Sequence, residues 1–166
     1  MRAILAGLFL VLTTGWAMAG PQTSVADRLL GHYYAIQRSL ASDSIAGVSA
    51  SAAQMADLSR RAAGTETQAK TQLTALANSA ARLRATDLKS ARNEFGDLSD
   101  TLIAYLQTSK AKRNPPYQYY CSMVKKNWLQ PGKEIRNPYY GNSMLTCGEL
   151  VQPSQSAEQH TGHNHH

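Results

Sequence analysis

The amino-acid sequence predicts an all-α fold: an antiparallel four-helix bundle, a C-terminal turn-rich cap of cysteine, methionine and aromatic residues, and a disordered histidine-rich tail. Three observations carry that expectation. Apolar residues recur at three- and four-residue steps from about residue 24 to about residue 108. The periodicity is cut at Asn114-Pro115-Pro116, where two prolines remove backbone donors and force extended backbone. Both cysteines lie beyond that break, among tyrosines and turn residues. The organisation read from these patterns is a signal peptide over 1–19, a helical bundle over 20–113, a cap packed on the bundle over 114–151 and a disordered tail over 152–166.

The first element is the leader. Arg2 precedes the apolar run Ala3 to Leu12, and Ala17-Met18-Ala19 supplies small residues for cleavage after Ala19. This three-part plan is that of a secretory signal peptide. The run is too short to span a bilayer, and no second one follows it. The expectation is an exported, periplasmic protein without a membrane span.

Four helices follow. Ala26, Leu29, Leu30, Tyr33, Ile36 and Leu40 form the first stripe, after the N-cap types Thr23 and Ser24. Ile45, Val48, Ala52, Met55 and Leu58 form the second, fading at the Gly64-Thr65 turn. Leu73, Leu76, Ala77, Ala80 and Leu83 form the third, ending near Thr86-Asp87. Leu88, Ala91, Phe95, Leu98, Leu102 and Leu106 form the fourth, at almost heptad spacing. Short joints between amphipathic helices predict antiparallel packing. Met55 reads as core filler, and His32, beside Tyr33 and Tyr34, as a surface or satisfied histidine.

The cap is the informative part. Tyr117 to Val124 is rich in strand formers, Pro131-Gly132 and Asn137-Pro138 are turn pairs, and Tyr139-Tyr140-Gly141-Asn142 reads as a third reversal. Its aromatics are the expected adhesive to the bundle.

The formal net charge of +6 comes from lysines and arginines scattered along the chain. Basic residues interleaved with tyrosines between Lys110 and Arg136 resemble a nucleic-acid surface, but an exported protein has no such partner, so they read as a solvated face. Enzyme readings lack residues. No Cys-x-x-Cys-His occurs, no nucleophile motif is present, and Asp97 and Asp100 read as part of a solvated helix face.

Thiolate and thioether sulfurs are soft donors suited to Cu(I) and Ag(I). Cys121 and Met123 are two apart, so an extended strand would project both to one side, and one turn would bring Met144 to Cys147. Two sulfur pairs could then converge on one ion. The competing reading closes Cys121 to Cys147 as a disulfide, worth about 3 kcal/mol on the loop-entropy model, with Met123 and Met144 merely packing. Both readings require Cys121 and Cys147 to be neighbours. The tail adds His160, His163, His165 and His166, imidazoles suited to Cu(II), Ni(II) or Zn(II); Thr161, Gly162 and Asn164 interrupt them, unlike an ordinary purification tag.

The run Cys121-Ser122-Met123, Trp128-Leu129, Ile135 to Gly141, and Met144-Leu145-x-Cys147-Gly148 resembles the end of a bacterial domain family of unassigned function. Ala91-Arg92-x-x-Phe95-x-x-Leu98-Ser99 extends the resemblance upstream, so that it covers most of the chain after the leader. That family occurs as separate exported proteins and at the ends of periplasmic adaptor subunits of copper- and silver-type efflux pumps. Ser122 stands where the family more often has proline, which leaves the local backbone less fixed. The resemblance implies a metal-resistance setting rather than a mechanism. Two functions follow as expectations: a periplasmic copper or silver binding or delivery protein, and a disulfide-stapled module that docks on an efflux adaptor without a metal site of its own.

Overall fold

Ser24 opens the first helix, its hydroxyl accepting the Asp27 amide at 3.1 Å, and α1 runs Val25–Ala41. The computed structural model describes residues 23–109 and 115–151; the leader at 1–19 and the histidine tail at 152–166 lie outside the described residues. Helix α2 spans Val48–Ala62, α3 Lys70–Arg82 and α4 Leu88–Thr108. Asp87 caps α4 by accepting the Ser90 amide at 2.9 Å. Each helix packs on the next and α4 meets α1, and the connections of a few residues make sequence neighbours antiparallel.

The stripe residues form the core. Leu29, Tyr33, Ile36 and Leu40 of α1 meet Val48, Ala52 and Met55 of α2, Leu73 and Leu76 of α3, and Ala91, Phe95, Leu98 and Leu102 of α4. Ile45 departs from the expectation and is 36 % exposed. Helix α2 starts three residues later because Gly47 takes a left-handed backbone (φ +73°), and Ser44 Oγ accepts the Ala46 amide in the preceding turn.

The all-α expectation is corrected in the C-terminal third, where the chain forms a three-stranded antiparallel sheet. Strand β1 is Tyr117–Cys121, β2 Lys126–Gln130 and β3 Glu149–Leu150, in the order β2-β1-β3. Tyr119 pairs with Trp128 and Cys121 with Lys126, while Tyr120 pairs with Glu149. The physical reason is backbone satisfaction. A segment whose aromatics are buried takes its amides out of water with them, and a ladder satisfies them more completely than a string of turns. Ser122–Lys125 supply the tight connection, with Lys125 at φ +55°.

Strand β2 faces the bundle against α1 and α4. Trp128, fully buried, stacks on Tyr119 at 5.3 Å and meets Tyr139 edge-on at 6.1 Å; Tyr139 then contacts Phe95 at 5.8 Å, and Phe95 stacks on Tyr33 at 5.0 Å. A continuous aromatic path thus joins the central strand of the sheet to the first helix. Among the described residues, no helix is long and apolar enough to cross a membrane.

Candidate soft-metal site

The cap is fastened by polar groups that the hydrophobic pattern does not mark. Leu129 donates its backbone amide to the Tyr33 hydroxyl at 3.1 Å, deep in the interface. That hydroxyl lies 2.7 Å from Ser99 Oγ, whose proton goes to the Phe95 carbonyl at 2.9 Å, so Tyr33 is the donor to Ser99. Burial pushes the Tyr33 hydroxyl well above the ordinary phenol range, although Ser99 and the Leu129 amide pull it down. Tyr139 is likewise pushed up by burial, and its hydroxyl donates to the Asn127 carbonyl.

A second fastening surrounds Arg92. Its Nε donates to the Pro138 carbonyl at 2.9 Å, and Nη2 donates to the Leu40 carbonyl at 3.0 Å and to Asp43 Oδ1 at 2.5 Å. Asp43 Oδ2 accepts the Asn142 amide at 3.0 Å. Arg92, then the Asn142 amide, hold the Asp43 carboxyl below the usual carboxylate range. One guanidinium thereby ties α4, the α1–α2 joint and the Pro138–Asn142 reversal together. Gly141 is obligatory there, because its φ is +55° and a Cβ would overlap both Asp43 Oδ1 and Arg92 Nη2.

A third fastening lies at the hairpin end. Gly96 lets the Lys126 stem lie flat on α4, and the ammonium reaches Asp97 at 2.9 Å and Asp100 at 3.3 Å. Asp97, then Asp100, raise the Lys126 pKa. Asp97 and Asp100 are exposed, as a solvated face requires, but they also anchor β2.

The expected sulfur donors sit at the same end of the sheet. Cys121 closes β1 and is fully buried, and Cys147 is half-buried; both are free thiols. Asn137 stands between them. Its buried side-chain amide donates to the Cys147 carbonyl at 2.8 Å and lies 3.5 Å from Cys121 Sγ, while its Oδ1 accepts the Tyr139 amide at 2.8 Å. Met144 and Cys147 share one turn, the Cys147 amide donating to the Met144 carbonyl at 3.1 Å. Gly148 follows because a Cβ there would overlap the Trp128 indole.

Met123 differs from the expectation of a shared strand face. The strand ends at Cys121, so Met123 lies in the Ser122–Lys125 turn and is 61 % exposed, whereas Cys121 faces the interior. Strand alternation therefore does not pair Met123 with Cys121; only the turn end of the sheet is common to them. Among the described residues no three His, Cys, Asp or Glu side chains converge, so any ion held here would use methionine sulfur or main-chain oxygen besides the two thiols. His160, His163, His165 and His166 lie outside the described residues.

Nothing in the sequence marks Asn137, Gln37 or Gln130 as fastenings. Gln37 Nε2 donates to the Arg136 carbonyl at 2.6 Å. Gln130 Oε1 accepts from Trp128 Nε1 at 3.0 Å and the Arg136 amide at 3.2 Å, while its Nε2 donates to the carbonyls of Gly132 and Glu134. The available signal was the Asn137-Pro138 pair, which marks a turn but not its buried amide.

These groups define the class: a helical scaffold with a small sheet clamped across two of its helices, and two free thiols at the end of that sheet. No family model matches the chain, and no curated protein or solved structure is significantly similar to it.

Proposed function

We propose that the protein is exported to the periplasm and there binds Cu(I) or Ag(I) for delivery or resistance, using sulfur at the turn end of the sheet. The observation that carries this reading is the convergence on Asn137 of two chain segments bearing free thiols, one of which shares a turn with Met144. Thiolate with thioether is a donor set for soft monovalent ions rather than hard cations. Cys121, Cys147 and Met144 are the principal donors, and exposed Met123 is the candidate entry ligand at the rim. The tail imidazoles would collect Cu(II), Ni(II) or Zn(II) separately.

The test is competition with a Cu(I) chelator under anaerobic, reducing conditions, using a chain that begins at Gly20 and lacks His160–His166. The expected result is retention of about one Cu(I), weakened at least tenfold by Cys147→Ser or Met144→Leu and less by Met123→Leu. Retention unchanged in all three variants would overturn the assignment.

A second reading, docking on an efflux adaptor without metal, is favoured by one feature. Exposed Met123 and Val124 form the hairpin tip, and Val124 borders a groove of about 790 Å³ that also runs past Leu88, Lys89 and Tyr140. A charged residue at Val124 that abolishes adaptor capture while leaving Cu(I) retention intact would select that reading.

A further inference from the structure

Cys121 and Cys147 are the chain's only cysteines, and both are free thiols. A single nitrogen, Asn137 Nδ2, touches the sulfur of one at 3.5 Å and the carbonyl of the other at 2.8 Å. The strand register agrees with this closeness. Tyr120 pairs with Glu149 as the last rung of the ladder, so Cys121 stands one residue beyond that rung on β1 and Cys147 two residues beyond it on the segment leading into β3. If both segments continued past that rung at ordinary strand spacing, the two Cα atoms would be roughly 6 Å apart. Disulfides span roughly 4.4–6.8 Å between Cα atoms. Cys147 precedes β3, so its side chain is not held to the alternation of that strand.

We infer that Cys121 and Cys147 form a reversible dithiol–disulfide pair. On the proposed metal reading, on which this consequence alone rests, the pair is the release switch of the site. The two thiols differ in access: Cys121 has no exposed surface, whereas Cys147 is half-buried. Exchange therefore begins at Cys147. Its thiolate attacks one sulfur of a small-molecule disulfide such as oxidised glutathione, forming a mixed disulfide and expelling one glutathione thiolate. The Cys121 thiolate then attacks the Cys147 sulfur and expels the second. The protein loses two electrons and two protons, and the oxidant becomes two thiols. Oxidation removes both thiolates from any soft ion, leaving only the weaker thioethers of Met123 and Met144, and reduction restores them.

The experiment uses the folded chain from Gly20 to the C-terminus, with Trp128 fluorescence confirming the fold throughout. Metal-free protein is equilibrated in reduced and oxidised glutathione mixtures, quenched with acid, and analysed by intact mass and peptide mapping. The expected product is about 2 Da lighter, carries a Cys121–Cys147 link, and reverts with excess thiol. In the Cys121→Ser protein the glutathione adduct at Cys147 should persist. A wild-type protein that stops at that adduct, or keeps two free thiols while folded under oxidising mixtures, overturns the inference.

Retention of Cu(I) against a chelator is then compared between the two redox forms, with at least a tenfold loss expected on oxidation. Equal, tight retention in both forms would overturn the switch. A link that forms in a protein retaining no Cu(I) in either form supports the redox pair and overturns the metal reading, so the two failures are distinguishable.

Discussion

Changing Tyr33 to phenylalanine removes one hydroxyl and leaves the ring, so it isolates the polar fastening between α1 and the sheet. The ring keeps its stack on Phe95, 5.0 Å away. The Leu129 amide loses the acceptor 3.1 Å away in a buried interface, and Ser99 keeps its own bond to the Phe95 carbonyl. An orphaned buried donor costs about 1–3 kcal/mol, and the lost bond to Ser99 adds little because its oxygen remains a donor. The expected loss is about 2 kcal/mol. For a domain of this size that lowers the melting temperature by about 6–10 °C and the urea midpoint by about 1 M, with an unchanged m-value. In a chain beginning at Gly20, Trp128 is the single tryptophan, and it adjoins Leu129 in β2, so its fluorescence follows the sheet directly while circular dichroism follows the helices. Coincident transitions are expected, because the sheet completes the core. A loss below about 0.5 kcal/mol would refute the argument that the hydroxyl satisfies the Leu129 amide.

Three further outcomes follow from the same fastenings. Tyr33 and Tyr139 are held neutral by burial, so the stability they contribute is complete below the unfolded phenol pKa near ~10 and is lost as pH rises toward their higher folded values, by about 1.4 kcal/mol per pH unit for each. Alkaline urea titrations should show that slope, and Tyr33→Phe should lower it by the share of one phenol. Asp43 is held ionised, so its contribution is present above the ordinary carboxylate pKa and is lost as pH falls through its depressed folded value; hydrogen exchange should show the Asn142 amide opening first in acid, and Asp43→Asn should abolish that dependence. Gly141→Ala and Gly148→Ala should each cost about 2 kcal/mol or more, the first by forcing Asp43 and Arg92 apart, the second by displacing the Trp128 indole and shifting its emission to the red.

Helical periodicity made the bundle legible. Leu29, Tyr33, Ile36, Leu40, Phe95, Leu98 and Leu102 are marked as one-sided stripes by spacing alone, and all are buried. The Ser24 cap and the neighbourhood of Cys121 and Cys147 were also readable, the first from residue type and the second from two cysteines within one turn-rich segment. The sheet was half-readable. Tyr117–Cys121 carries strand formers, but β2 contains Lys126 and Asn127 at its start and β3 is two residues long, so no local pattern announces three paired strands. Met123 falls outside the strand for the related reason that nothing in the sequence says where β1 ends.

Local spacing and residue chemistry set the helix faces, the break at Pro115-Pro116, the supply of soft donors and the density of aromatics in one segment. Which long-range polar partners hold that segment down depends on the packing of the whole chain. Arg92 meets carbonyls from two distant segments, Tyr33 meets an amide 96 residues away, and Asn137 meets both cysteine-bearing stretches. Hydrophobic burial is roughly additive in area and so leaves a periodic trace, whereas a buried hydrogen bond requires two groups from separate segments to coincide within about 3 Å, and that coincidence exists only once the chain has folded.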